Sequence, residues 1–168
     1  MTRLFVALVL SLAMTAALPV VSATAALDGE MADEQAGPVY LDAVCPSIRA
    51  SDRFDRVVWR GRKTITWAEL DRRLPEIRRV SRAYGRASQR SSRRLFNPPA
   101  PWPTDVDALV TKLADADARF SAWLMSMGQA TTGREWNRYW VRAKKVRYGT
   151  WGSQIRARLG LPPAGEGC

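Results

Sequence analysis

The chain has 168 residues and a formal net charge of +10, with no histidine and two cysteines. Without histidine, the commonest general base and the commonest metal ligand are missing, and two thiols do not complete a tetrahedral zinc site. The sequence contains no phosphate-binding loop, nucleophile elbow or metal-ligand spacing, so it predicts no catalytic residue, no metal and no cofactor.

Residues 1–25 have the three parts of a secretory signal peptide. Arg3 gives a positive start, residues 4–18 form an apolar run, and small residues follow, with cleavage expected after Ala23 or Ala25. The alternative is a retained membrane anchor, but Pro19 ends the run before the roughly 20 apolar residues that a spanning helix needs. The sequence therefore predicts a secreted or cell-envelope protein.

Residues 26–38 are small and acidic, and we expect them to form a flexible segment before a single helical domain over residues 39–168. Helical spacing of apolar residues begins at Tyr40 and continues to Val58. Pro46 interrupts it, and because proline removes a helical hydrogen bond and clashes one turn back, we expect a kink or break near Cys45.

Three further helices are predicted from caps and apolar stripes. Thr66 and Glu69 form a capping box before a stripe over residues 67–95, which Pro75 should kink. Thr104 is expected to cap a helix that stops at Gly128. A second capping box, Thr132 with Glu135, starts the last helical stripe, and Gly160 should end it with Leu161 folded back. The chain is thus predicted to be all-α, a helical bundle of about four principal helices.

The charge is unevenly distributed along the chain. Residues 53–94 carry +10 and residues 134–158 carry +7, whereas residues 26–44 carry −5 and residues 104–118 carry −3. These basic stretches indicate either solvated helix faces that pair with the acidic ones or a field that gathers polyanions. The candidate polyanion contacts are Arg78, Arg82, Arg86, Arg90, Arg93, Arg94, Arg138, Arg142 and Lys145.

Seven tryptophans invite an aromatic binding surface. Trp67, Trp136 and Trp140 fall on the predicted inward stripes, so core packing is expected for them. Trp102 and Trp151 are less committed and are the candidate exposed aromatic contacts. Among the acids, Asp105 and Asp107 are attributed to a helix start, and Asp115 and Asp117 to a solvated face.

Cys45 and Cys168 are expected to form an internal disulfide, because their number is even and the chain is predicted to be exported. Two free thiols or an intermolecular bond are the alternatives.

The segment YLDAVCPS at residues 40–47 and the tail IRARLGLPPAGEGC at residues 155–168 resemble the two ends of a group of small, uncharacterised secreted helical proteins of high-GC Gram-positive bacteria. The resemblance implies a helical body and pairing of the two cysteines. It implies no activity.

Together these features favour a non-catalytic binding or structural module outside the cytoplasmic membrane, held on anionic wall polymers or a membrane surface, or binding a protein partner. A small secreted hydrolase that uses carboxylates and a basic nucleic-acid-binding protein are the alternatives. Export argues against nucleic acid, and no small-molecule ligand is predicted.

Overall fold

The computed structural model describes residues 29–164 and 166–168, which contain six helices and no strand. The helices are α1 (Asp33–Val58), α2 (Trp67–Arg72), α3 (Leu74–Phe96), α4 (Thr104–Gln129), α5 (Gly133–Ala143) and α6 (Trp151–Arg158). The prediction of an all-α chain is confirmed. The predicted signal peptide lies outside the described residues. Within the described part of the chain, none of the helices combines the length and apolar character needed to cross a membrane.

Two hydrophobic clusters form the core, and three long helices pass through both. The first cluster joins the early part of α1 to Leu95 near the end of α3, the early part of α4, and Ile155 of α6. The second joins the late part of α1 to the start of α3, the late part of α4, and Trp136 of α5. Helix α3 therefore runs antiparallel to both α1 and α4, and α5 and α6 pack against α4.

Two of the predicted helices are each divided into a pair. Arg73 ends α2 and precedes α3, and Pro75 lies in the first turn of α3, where its missing N–H costs no hydrogen bond. The last predicted helix, which begins after Thr132, is split into α5 and α6 by residues 144–150. This connection includes Gly149 at a φ of 54°. The kink that was expected at Pro75 is therefore a boundary between two helices.

The predicted break at Pro46 is wrong, because α1 is helical from Asp33 to Val58 with Pro38 and Pro46 inside it. Its first residues also fall in the segment that was expected to be flexible. The helix tolerates Pro46 because the carbonyl of Asp42, which loses its helical donor, accepts a hydrogen bond from Arg94.

Most of the predicted helix ends are confirmed. Thr66 and Thr132 each accept a hydrogen bond from the backbone N–H three residues later. The glutamates of the two predicted capping boxes bind other donors: Glu69 accepts from Arg62 and Arg73, and Glu135 accepts from Thr131. Gly160 has a φ of 62°, and the N–H of Leu161 donates to the carbonyl of Arg156 at 2.8 Å, which closes a Schellman motif.

Two predicted ends are wrong. Thr104 is the first residue of α4 and not its cap, and its own N–H donates to the carboxylate of Glu30. Glu30 thus supplies the acceptor that the helix start needs. Gly128 does not stop α4, which ends at Gln129.

A disulfide joins Cys45 of α1 to Cys168 at the end of the chain, as predicted. The two residues are 123 positions apart, and their Cα atoms lie 5.2 Å from each other. The bridge holds the tail that follows α6 against the first helix.

Candidate functional site

Two of the predicted polyanion contacts are used to end a helix. Arg78 donates from Nε and Arg82 from Nη1 to the carbonyl of Gly128, at 3.1 and 2.7 Å. Helix α4 has no basic residue in its own last turn, so these two arginines of α3 satisfy its carbonyl and its negative dipole end. Both side chains are only partly exposed.

Arg94 is also bound, because its Nη1 lies 2.7 Å from the carboxylate of Asp42. Arg86, Arg90 and Arg93 are exposed on α3, and their spacing of four and three residues places them on one helix face. Arg138 is exposed on α5. None of these last four takes part in an ion pair within the described part of the chain.

The remaining two predicted contacts, Arg142 and Lys145, lie in a surface groove that we call the basic groove. It has a volume of about 720 Å³. Helices α4, α5 and α6 and the connection between the last two form its walls, which consist of Arg119, Trp123, Arg142, Lys145, Val146, Arg147 and Trp151. Trp151, one of the two candidate exposed aromatics, is partly exposed here.

The basic groove combines positive charge with indole rings and has no acid in its lining. The guanidinium of Arg142 lies over the ring of Trp123, 5.3 Å from its centroid, and Trp123 stacks on Tyr139 at 6.4 Å. These contacts hold the Arg142 side chain in place. Four cations around one concave surface create a positive potential, which an anion would neutralise.

The prediction that Trp102 is an exposed aromatic contact is wrong, because its side chain is only 5% exposed. Its indole N–H donates to the carbonyl of Leu95 at 2.9 Å, which satisfies a carbonyl in the last turn of α3. The proline-rich segment therefore folds back onto the first core cluster.

The three tryptophans that are predicted to face inward differ in burial. Trp136 is fully buried, stacks on Phe54 at 6.2 Å and donates its indole N–H to Ser81. Trp140 is partly buried. Trp67 is 51% exposed, so its inward assignment is wrong. Trp67 is the first residue of α2, whereas Leu70, one turn later on the same predicted stripe, is buried in the second cluster.

A second concave site has two acidic side chains and one basic side chain in its lining, and we call it the acidic cavity. It has a volume of about 370 Å³ and lies between α1, α3, α4 and α6. Its lining includes the side chains of Tyr40, Val44, Ile48, Ser51, Asp52, Tyr84, Leu113, Asp117, Tyr148 and Arg156. This cavity was not predicted from the sequence.

Asp117 is the most buried acid of the cavity, at 6% exposure, so its assignment to a solvated face is wrong. Ser91 donates to its Oδ2 at 2.7 Å and Tyr148 to its Oδ1 at 3.0 Å. Burial raises the pKa of Asp117 to about 6, and these two hydrogen bonds oppose the rise. Burial also raises the pKa values of Tyr40 and Tyr84, each to about 12.

Comparisons of the chain with known proteins found no protein-family model that matches, no similar curated protein and no similar solved structure.

Proposed function

We propose that this protein is a non-catalytic module of the cell envelope that binds phosphate-bearing polymers or headgroups through the basic groove. The observation that carries the proposal is the convergence of four cations and two indole rings on one groove without an acid. Arginine guanidinium groups bind phosphate in a bidentate fashion. Trp151 offers a flat face to the sugar or polyol that links successive phosphates.

Two other features support an extended anionic ligand at the envelope. The exposed arginines of α3, Arg86, Arg90 and Arg93, form a further basic stripe on the same chain. The disulfide is consistent with an oxidising compartment outside the cytoplasm, to which the predicted signal peptide would send the chain. On this proposal the six helices form a helical bundle that serves as a rigid scaffold.

The proposal is tested by measuring the binding of residues 26–168 to poly(glycerol phosphate), to phosphatidylglycerol vesicles and to single-stranded DNA. The groove variant is Arg119→Gln with Arg147→Gln. The matched control, Arg53→Gln with Arg134→Gln, removes the same charge at exposed positions outside the groove. We expect the groove variant to lose at least about fivefold in affinity and the control less than about twofold. The reason is that direct pairing of a groove arginine with phosphate contributes more to binding than the overall charge of the chain does.

Tighter binding of poly(glycerol phosphate) than of the vesicles would indicate a wall ligand, and the reverse order would indicate a lipid headgroup. Equal losses in the two variants would show that only the net charge matters and would overturn the groove. Tighter binding of DNA than of either envelope ligand at the same salt concentration would favour the nucleic-acid alternative.

A carboxylate hydrolase is the second candidate, because Asp52 and Asp117 line the same cavity. Both oxygens of Asp117 accept hydrogen bonds from the protein, which competes with proton donation to a substrate and makes this candidate weaker. It predicts release of a chromophore from glycoside or ester substrates that is lost in Asp117→Asn. Absence of turnover by the wild type would remove it.

A further inference from the structure

The acidic cavity is built on a fixed aromatic wall. Phe120 lies between two of its tyrosines and contacts both edge to face, with centroid distances of 5.4 Å to Tyr84 and 5.7 Å to Tyr148. Tyr40, on the opposite helix α1, is 2% exposed and lies near Gly152 of α6. The rings are thus positioned by packing before any ligand arrives, which lowers the entropic cost of binding.

The charges of the cavity favour a cation. Asp52 and Asp117 contribute two carboxyl groups, and Arg156 contributes one guanidinium. That guanidinium is occupied: its Nη1 donates to the carbonyls of Pro162, at 2.9 Å, and of Pro163 and Glu166, at 3.4 and 3.3 Å. Its Nη2 lies 3.4 Å from the Sγ of Cys168. Arg156 therefore anchors the tail and keeps its charge, so the two carboxyl groups of the lining exceed its one guanidinium by one.

The tyrosine rings add to this preference. A phenol with its usual pKa of about 10 is already neutral at physiological pH, and burial raises the pKa values of these tyrosines further. A neutral phenol ring presents a negative quadrupole face, which attracts an ammonium group within about 6 Å of its centroid. The environment of Tyr84 also contains the carboxylates of Asp52, Asp55 and Asp117.

We propose that the acidic cavity binds a small organic cation, an ammonium group on a short apolar body. The carboxylate of Asp52 at the rim and the rings of Tyr84 and Tyr148 hold the ammonium, and Val44, Ile48 and Leu113 contact the apolar body. The volume of about 370 Å³ lies near the lower end of the range for ligand pockets, which suits a ligand of one ring or a short chain. This inference is independent of the basic groove, which has the opposite charge.

Calorimetric titration of the protein with n-butylammonium, butan-1-ol and butyrate tests the charge preference. The three probes share one apolar body and differ in their head group. Because the whole chain carries +10, general electrostatics would repel the cation, so a preference for it must arise locally. We expect saturable binding of n-butylammonium at least about tenfold tighter than that of butan-1-ol, and no binding of butyrate.

Two pairs of variants locate the site. Asp52→Asn should weaken n-butylammonium at least about fivefold, whereas Asp107→Asn, at an exposed position of α4 outside the cavity, should leave it unchanged. Tyr84→Leu should weaken the cation and spare butan-1-ol, whereas Tyr84→Phe, which keeps the ring, should bind both normally. Thermal unfolding confirms that each variant is folded.

Equal affinity for the cation and the alcohol would overturn the proposal in favour of a purely apolar cavity. Absence of saturable n-butylammonium binding by the folded wild type would also overturn it. So would equal effects of Asp52→Asn and Asp107→Asn, because the cation would then respond to overall charge.

Discussion

Arg94 of α3 makes two hydrogen bonds to Asp42 of α1, one to its carboxylate at 2.7 Å and one to its backbone carbonyl at 3.0 Å. That carbonyl would normally accept from residue 46, but Pro46 has no N–H. The arginine therefore replaces the missing donor and also fastens two long helices together. Its position explains why α1 continues through a proline that should break it.

Replacing Arg94 with alanine should lower the free energy of unfolding by about 1 kcal/mol, since it removes an exposed ion pair and a partner of the orphaned carbonyl. Arg93→Ala is the control, because Arg93 is the exposed neighbour of Arg94 and is engaged in no ion pair within the described residues. Urea denaturation measures both. Equal stabilities of the two variants would contradict the assigned role.

Gly128 and Arg82 are coupled by a close contact. A Cβ at position 128 would overlap the Cγ of Arg82, whose guanidinium donates to the carbonyl of Gly128. Gly128→Ala should therefore destabilise the wild type by about 1–2 kcal/mol, because Arg82 must move and lose its hydrogen bond.

In an Arg82→Ala background the clash largely disappears, and alanine is favoured over glycine within a helix by about 1 kcal/mol. The same substitution should then be neutral or stabilising. A double-mutant cycle by urea denaturation measures the coupling. Additive effects of the two substitutions would show that the contact carries no energy.

The helical class, both threonine caps, the Schellman end and the disulfide followed from local sequence signals. These features depend on residues close together in the chain or on cysteine number. The fate of Pro46 could not be predicted, because its compensation comes from Arg94, 48 positions later. The binding of Arg78 and Arg82 to the end of α4 could not be predicted either, because the carbonyl that accepts from them belongs to Gly128, which is distant in the chain.

The acidic cavity was missed although a signal for Asp117 exists. The inward residues of α4 recur at steps of four and three, and position 117 falls in that series between Leu113 and Phe120. A carboxylate on an apolar stripe indicates a buried hydrogen-bonded group. Ser91 lies on the corresponding stripe of α3 and supplies one donor. The two stripes together therefore indicate that Ser91 and Asp117 are partners.

Removing the disulfide with Cys45→Ser and Cys168→Ser should lower the free energy of unfolding by about 4–5 kcal/mol, because the bridge closes a loop of more than a hundred residues in the unfolded chain. The tail that it holds also covers Arg156, whose guanidinium partners are all tail atoms apart from Tyr40. Tail release should therefore expose Arg156.

Urea denaturation of the oxidised, reduced and doubly substituted proteins measures the stability change. Limited proteolysis of the tail after residue 159 serves as the structural readout. The reduced wild type and the double variant should behave alike. A loss below about 1 kcal/mol, with no new cleavage, would mean that packing of the tail suffices without the bridge.

Asp117 should make the protein more stable as the pH falls from 7 towards 4. Its folded-state pKa is about 6, above the usual value of 3.8, so the folded chain binds this proton more tightly than the unfolded chain. The contribution is absent above the folded pKa, grows as the pH falls through it, and is complete below the unfolded value. The shift corresponds to up to about 3 kcal/mol.

Asp117→Asn removes this titration while keeping a side chain of similar shape that can still accept a hydrogen bond. The stability difference between wild type and Asp117→Asn, from urea denaturation at several pH values, should change by up to about 2.5 kcal/mol in favour of the wild type between pH 7 and pH 4. Asp107→Asn, at an exposed position of the same helix, should show no such change. A difference between wild type and Asp117→Asn that is constant over this range would mean that Asp117 has the same pKa in the folded and unfolded chains.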